Sequence, residues 1–285
     1  MSTQNQAREA ISKDSLADAI SRRLREKRED LTAQFRPQKV PTRFFAVDDL
    51  LPSAWAHRIA DAFPRMEQMR LMKSFRETKF TSKSLEQFDP ILEQITFAFQ
   101  DARVIAEVEA ITGMKQQLPD TKLYAGGLSS MARGHFLNPH IDNSHDSGRK
   151  LYRTLNLLYY CAPDWRPENG GSLQLWDERV REAVTIPSLF NRLVVMETNR
   201  KSWHSVDRIR IDGNRRCVSN YYFSPLSPEG HDYFHVTSFS APPDEPLKRV
   251  VATLDTLLRS SVRKLFADGV GARDLYEKPA DPEKK

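Results

Sequence analysis

Pro139-His140-Ile141-Asp142 holds the only His-x-Asp of the chain. Residues two apart on a strand project to the same side, so His140 and Asp142 can offer an imidazole and a carboxylate to one ion. Alone this means little, because a chain with seven histidines carries such a triplet by chance about half the time. A surface turn after Pro139 explains it equally well. Further along, Trp203-His204-Ser205-Val206 puts a second histidine beside an expected strand. Two neutral imidazoles and one carboxylate make a facial metal triad that leaves coordination positions open for a bidentate keto acid and dioxygen. After His204, Gly213-Asn214 marks a turn, and the run from Arg215 to Phe223 reads as a strand opened by two arginines. An arginine there suits the far carboxylate of such an acid, because its planar fork pairs bidentately.

Short segments rich in Val, Leu, Tyr and Phe must position these groups. They fall at 122–130, 151–161, 172–176, 182–186, 192–197, 203–210, 215–223 and 233–239, separated by Gly, Pro, Asn and Asp. That texture predicts an antiparallel sandwich or jelly roll. Helices flank it. Leu16, Ile20, Leu24, Leu31 and Phe35 form one amphipathic stripe over residues 8–34, which Pro37 and Pro41 end. A short strand is expected at 43–47 and a helix from Ser53 to Phe63 with Ser53 as N-cap. Further helices are expected at 84–100 and 101–112, the last ending at Gly113, and a wide apolar stripe runs from Leu247 to Phe266. The tail after Tyr276 is polar. The division is residues 1–40 as N-terminal helix and linker, 41–240 as the catalytic β-domain with supporting helices, and 241–285 as C-terminal helix and tail. The class is α+β.

From about Ser129 to Pro225, a third of the chain, four features in order resemble the iron(II)/2-oxoglutarate oxygenases of the prolyl-hydroxylase-like branch. They are Gly134 to Asp142, Arg153-Thr154-Leu155-Asn156-Leu157-Leu158-Tyr159-Tyr160, Glu168-Asn169-Gly170-Gly171-Ser172-Leu173, and His204-Ser205-Val206 with Arg215. The resemblance implies a double-stranded β-helix and a hydroxylase using Fe(II), 2-oxoglutarate and O2. It implies His140, Asp142 and His204 as metal ligands and Arg215 on the distal carboxylate. Tyr160 would support that carboxylate, and Leu158 and Leu173 would line the pocket. Alignment on Val218-Ser219-Asn220 makes Arg216 the clamp, whereas alignment on Gly213-Asn214 makes it Arg215. Strand alternation lets only one of the two point inward. Arg215 is favoured because Tyr222-Phe223 then falls in register. Asn156 stands where related enzymes often carry threonine. Asp142 fills the coordination position that related halogenating enzymes leave vacant, so hydroxylation is the expected outcome. Asn156 and Asn220, on strands expected to line the barrel, and Trp176, at the end of a strand expected to face the cavity, are further candidates for substrate contact or for support of the site. Two other readings share the fold: a non-catalytic iron or 2-oxoglutarate sensor, and a cupin-like metal-binding sandwich.

Composition excludes other classes. The 43 basic and 38 acidic residues give a net charge of +5, but acids interrupt the basic runs, so nucleic acid is not an expected partner. Cys161 and Cys217 are too few for a thiolate zinc site and are expected to be small buried residues. No HExxH, GxSxG or Gly-rich nucleotide loop occurs. Neither a signal peptide nor a membrane span is apparent, and a cytoplasmic protein is expected. Loop 143–151 and segment 64–85, with Arg65, Arg70, Lys73, Arg76 and Lys79, should shape the entrance and favour an anionic small-molecule or peptide substrate. The terminal helical stripes should pack on the core or on a second copy of the chain. Of the remaining histidines, His135 should point away from the site, His145 should be exposed in its loop, and His57, His231 and His235 should be structural or surface residues.

Overall fold

The computed structural model describes residues 11–245 and Tyr276; the helical stripe expected at 247–266 lies outside them. Five α-helices are described: α1 (Lys13–Glu26), α2 (Arg28–Gln34), α3 (Ser53–Ala62), α4 (Pro90–Ala98) and α5 (Ala102–Thr112). Thirteen strands follow the chain as β1 (Phe44–Val47), β2 (Arg70–Lys73), β3 (Glu77–Ser82), β4 (Leu118–Pro119), β5 (Gly127–Met131), β6 (Phe136–Ile141), β7 (Tyr152–Tyr160), β8 (Leu173–Trp176), β9 (Ala183–Ile186), β10 (Arg192–Glu197), β11 (His204–Val206), β12 (Arg215–Ser224) and β13 (Ser238–Phe239).

The strands pair antiparallel in the order β1-β10-β7-β12-β5-β3-β6-β11-β8-β9. β3 makes the curl. It pairs with β5 through Phe80–Ser82 and with β6 through Glu77 and Thr78, so one continuous ladder turns back on itself. The result is the two-layered roll of a double-stranded β-helix, with its cavity between the layers.

Alternation divides β7 and β12 cleanly. Leu155, Leu157 and Tyr159 on β7, with Val218 and Tyr222 on β12, join the core formed with α1, α4 and α5. The Tyr222 hydroxyl donates to the Phe99 carbonyl at the end of α4. Tyr160 and Cys217, on the opposite faces, pack inside the roll with Leu173, Leu175, Val194 and Met196. Both cysteines are buried and free.

Local rules explain most boundaries and several departures from expectation. The expected first helix is two, because the backbone at Lys27 (φ −102°, ψ 6°) leaves the helical region between α1 and α2. Its stripe survives the break: Leu16, Ile20 and Leu24 are fully buried, and Leu31 and Phe35 nearly so. Burying each such side chain contributes about 1.5–3 kcal/mol. Ser53 is not the N-cap of α3. Pro52 holds that position, its carbonyl accepting from Trp55 and Ala56. The helix expected at 84–100 starts later, since Asp89 caps Ile91 and Pro90 takes the first turn. α5 ends as expected, with Gly113 left-handed at φ +72°. Strands expected at 122–130, 203–210 and 233–239 shorten to 127–131, 204–206 and 238–239. The β2–β3 hairpin, β4 and β6 lie outside the segments expected from the sequence.

One irregularity matters for the site. Tyr222 pairs with Leu155 and Phe223 with Arg153, so Thr154 is an extra residue on β7. This bulge is tied down: the Thr154 hydroxyl bonds Gln117 and the Tyr222 carbonyl, and its own carbonyl accepts from Thr198. A bulge turns the flanking side chain to the other face of the sheet. Arg153 therefore enters the roll on the same side as Asn156 and Leu158.

Candidate metal and keto-acid site

His140 on β6 and His204 on β11 are directly opposed in the ladder, and their rings stand 4.1 Å apart. Asp142 lies just past the end of β6. One carboxylate oxygen is 3.7 Å from His140 Nε2 and the other 3.7 Å from His204 Nε2. All three ligand atoms fall within 4.8 Å of one another.

The polar atoms around them fit a cation. His140 Nδ1 is 3.0 Å from the Asn138 carbonyl and His204 Nδ1 is 2.9 Å from the Ser202 carbonyl. A carbonyl only accepts, so each Nδ1 carries the hydrogen and each Nε2 lone pair faces the shared point. Burial, then the neighbouring His204, pushes the His140 pKa down to about 3, which keeps that ring neutral as a ligand must be. Burial alone would raise the Asp142 carboxyl, yet Arg153 and the two imidazoles hold it below the usual carboxylate range. Asp142 Oδ2 has no hydrogen-bond partner. A buried carboxylate whose two oxygens each face an imidazole nitrogen is a donor set that suits iron(II).

Arg153 is a site residue that the sequence did not disclose. Its Nη1 lies 3.3 Å from Asp142 Oδ2, its Nη2 donates to Asn143 Oδ1 at 2.8 Å, and its guanidinium covers the Tyr221 ring at 4.5 Å. Simple alternation from Asn156, Leu158 and Tyr160 places Arg153 on the outer face; the bulge at Thr154 reverses that.

A cavity of about 370 Å³ runs inward from the triad, with Asn156, Leu158, Leu173, Cys217, Ser219 and Tyr221 among its walls. Arg215 lines it as well and is 3% exposed. Its Nε donates to the Gly171 carbonyl at 2.6 Å, and its guanidinium lies 4.8 Å over the Tyr160 ring. The Tyr160 hydroxyl is buried without a hydrogen-bond partner, and burial pushes that phenol up.

The other candidates divide. Asn156 faces the cavity, and its Oδ1 has no partner. Arg216 turns outward, donating to the Ala60 carbonyl of α3. Asn220 is also on the outer face, where its Oδ1 accepts from Gln100. Trp176, expected to face the cavity, instead donates its indole N–H to Ser205 Oγ at 2.8 Å. His145, expected to be exposed, is buried beside Ser144 and Tyr152. His135 accepts from the Ala132 N–H and stacks on Phe80. Phe239 stacks on His140 at 5.3 Å from the adjoining β13, a neighbour that no sequence pattern marked.

A two-layered β-roll with a His-Asp-His cluster at its mouth and a buried arginine within can hold a metal ion and a carboxylate ligand in one cavity. Residues 126–224, about a third of the chain, match the model of the 2OG-Fe(II) oxygenase superfamily. Prolyl 3-hydroxylase OGFOD1 from Xenopus laevis is 30% identical over 104 residues, 33% of this chain and 20% of that protein. The chain thus matches about a fifth of that relative's length. Among solved structures, a prolyl 4-hydroxylase from Phytophthora capsici superposes with a TM-score of 0.54 at 16% identity, covering 91% of this chain and 80% of the other. The prolyl-4-hydroxylase of Pseudomonas putida gives 0.51 at 13% identity, covering 70% and 98%. At these identities the structures share the fold. Among the described residues, no helix is long and apolar enough to cross a membrane.

Proposed function

We propose that this chain is an iron(II)- and 2-oxoglutarate-dependent hydroxylase. His140, Asp142 and His204 hold the metal, and Arg215 takes the distal carboxylate of the keto acid. One observation carries this reading: three converging ligand atoms and a buried guanidinium lie in the same 370 Å³ cavity. When bound, the metal and keto acid together use O2 to hydroxylate an unactivated C–H bond, releasing succinate and CO2.

The chain's own residues prepare that chemistry. The Asn138 and Ser202 carbonyls fix both imidazoles in the ligand tautomer. Arg153 keeps Asp142 ionised within a buried site. Leu158 and Leu173 make the inner wall apolar, which excludes water and strengthens the Arg215–carboxylate attraction. Tyr160 supports Arg215 through its ring, and its unpaired hydroxyl is a donor for the same carboxylate. Asn156 is an amide on the cavity wall for the cosubstrate or the substrate.

The substrate is a peptide or an amino-acid-derived metabolite with an anionic group. The prolyl hydroxylases among its relatives support the former. The cavity lining, with Lys79, Lys83, Arg153 and Arg215 against Glu77 and Asp142, supports the anionic group. The reading is tested by following succinate release from 2-oxoglutarate with iron(II) and ascorbate. His204→Ala should abolish it, whereas undiminished release from a folded His204→Ala protein would refute the metal assignment.

A further inference from the structure

A residue with no side chain packs against the stem of Arg215. Gly171 has φ +72°, and a Cβ there would lie 2.7 Å from Arg215 Cδ and 2.4 Å from Ile209 Cδ1. No side chain fits without moving the stem of the arginine or the neighbouring isoleucine. The Gly171 carbonyl also accepts from Arg215 Nε at 2.6 Å and from Ser188 Oγ at 2.9 Å. That contact engages the guanidinium through Nε. Nη1 approaches the Met131 thioether at 3.9 Å, and the guanidinium lines the cavity, where its fork can meet a carboxylate.

The corner is held in turn by Asp207. Ser172 N–H donates to Asp207 Oδ1 at 2.5 Å, and Asp207 N–H donates to the Ser172 carbonyl at 3.1 Å. The other Asp207 oxygen accepts from Arg210 Nη2 at 2.8 Å, and its side chain is only 14% exposed. Asp207 thus pins the 170–172 turn to the end of β11, the strand that begins with His204. Gly170 is needed there too, since a Cβ on it would meet the Arg208 carbonyl at 2.1 Å.

We propose that Gly171 and Asp207 are positioning residues for the keto-acid clamp, so that the preference for a dicarboxylic keto acid is set by this corner together with Arg215. The proposal rests on the keto-acid reading above. Gly171 acts through its carbonyl and its missing Cβ, and Asp207 acts by fixing Gly171. Neither need touch the ligand.

The test compares two acids on the anaerobic iron(II)-loaded protein: 2-oxoglutarate, and 2-oxobutyrate, which has the same keto-acid head but no distal carboxylate. Wild type should prefer 2-oxoglutarate by about tenfold or more, as expected for a charge-assisted pair. Gly171→Ala should lose most of that preference by weakening 2-oxoglutarate alone. Its affinities for 2-oxobutyrate and iron(II) should stay within about twofold. Asp207→Ala should shift the preference the same way, and Asp207→Asn, which keeps an oxygen for the Ser172 N–H, should restore it. A folded Gly171→Ala protein with wild-type preference overturns the proposal, as does equal weakening of both acids. If Gly171→Ala does not fold, the Asp207 pair decides: unchanged preference in Asp207→Ala overturns it. A wild-type protein that binds the two acids equally would instead refute the Arg215 clamp beneath it.

Discussion

At one end of the cavity, three ligand atoms are aimed by paired strands; at the other, a single guanidinium is aimed by a turn. His140 and His204 stand opposite each other in the β6–β11 ladder, and backbone carbonyls set both ring tautomers. Arg215 is placed by the Gly171 carbonyl and by the ring of Tyr160. The ladder tolerates little register freedom, because a slip of one residue turns every side chain to the other face. The turn depends on local conformation, and a single methyl group can disturb it. The metal end should therefore fail all at once and the clamp end by degrees.

The largest expected effect is at the metal end. His204→Ala removes one of the three proposed ligands, and iron(II) affinity should fall by more than the roughly 10–100-fold typical of losing a residue that merely orients a ligand. Equilibrium metal competition measures this; a loss under tenfold would mean that His204 is not a ligand. At the clamp end, Arg215→Ala should raise the KM for 2-oxoglutarate about 10–100-fold and leave iron(II) affinity intact. Arg216→Ala should change neither, since Arg216 bonds the Ala60 carbonyl on the outside of the roll.

Acid should also separate the two ends. In metal-free protein the His140 pKa is about 3, against 6.5 for an ordinary histidine. Between those values the unfolded chain binds more protons than the folded one, so stability is lost as pH falls through that window, by up to a few kcal/mol. Thermal unfolding in chelator from pH 7 to pH 4.5 should show this slope, and His140→Gln should flatten it. An unchanged slope would place the titration elsewhere.

Smaller effects test the scaffold between the ends. Thr154→Val removes hydroxyl contacts to Gln117 and the Tyr222 carbonyl and should cost about 1 kcal/mol by denaturant unfolding. If the bulge relaxes, Arg153 leaves Asp142 and turnover falls as well. Trp176→Phe loses only the indole bond to Ser205 and should change stability by about 1 kcal/mol with the KM values intact.

Much of this was legible in the residues because types and spacing carry the metal end. Two histidines and an aspartate on short apolar runs are sufficient to suggest a triad, and β-alternation places Leu158 and Leu173 inside. Arg215 and Arg216 are adjacent and alike, so only the register of β12 on β5 and β7 separates them. Arg153 stayed hidden for a physical reason: a bulge is one residue of backbone geometry that alternation cannot foresee. Trp176 and Asn220 misled because the expected strands were right but their faces were wrong. The break at Lys27 left no signal in the apolar stripe, which continues across it. The β2–β3 hairpin leaves no alternating pattern because β2 is mostly exposed and β3 is half-buried along its whole length.

The central claim is that one cavity holds both the metal and the keto acid. The most direct measurement is an anaerobic titration of the metal-free protein with iron(II) and then 2-oxoglutarate, watching the visible charge-transfer absorption of the chelate. The account predicts a band in wild type that is lost in His204→Ala, needs far more 2-oxoglutarate in Arg215→Ala, and is unchanged in Arg216→Ala. A folded wild-type protein that binds iron(II) but develops no band with 2-oxoglutarate would contradict it.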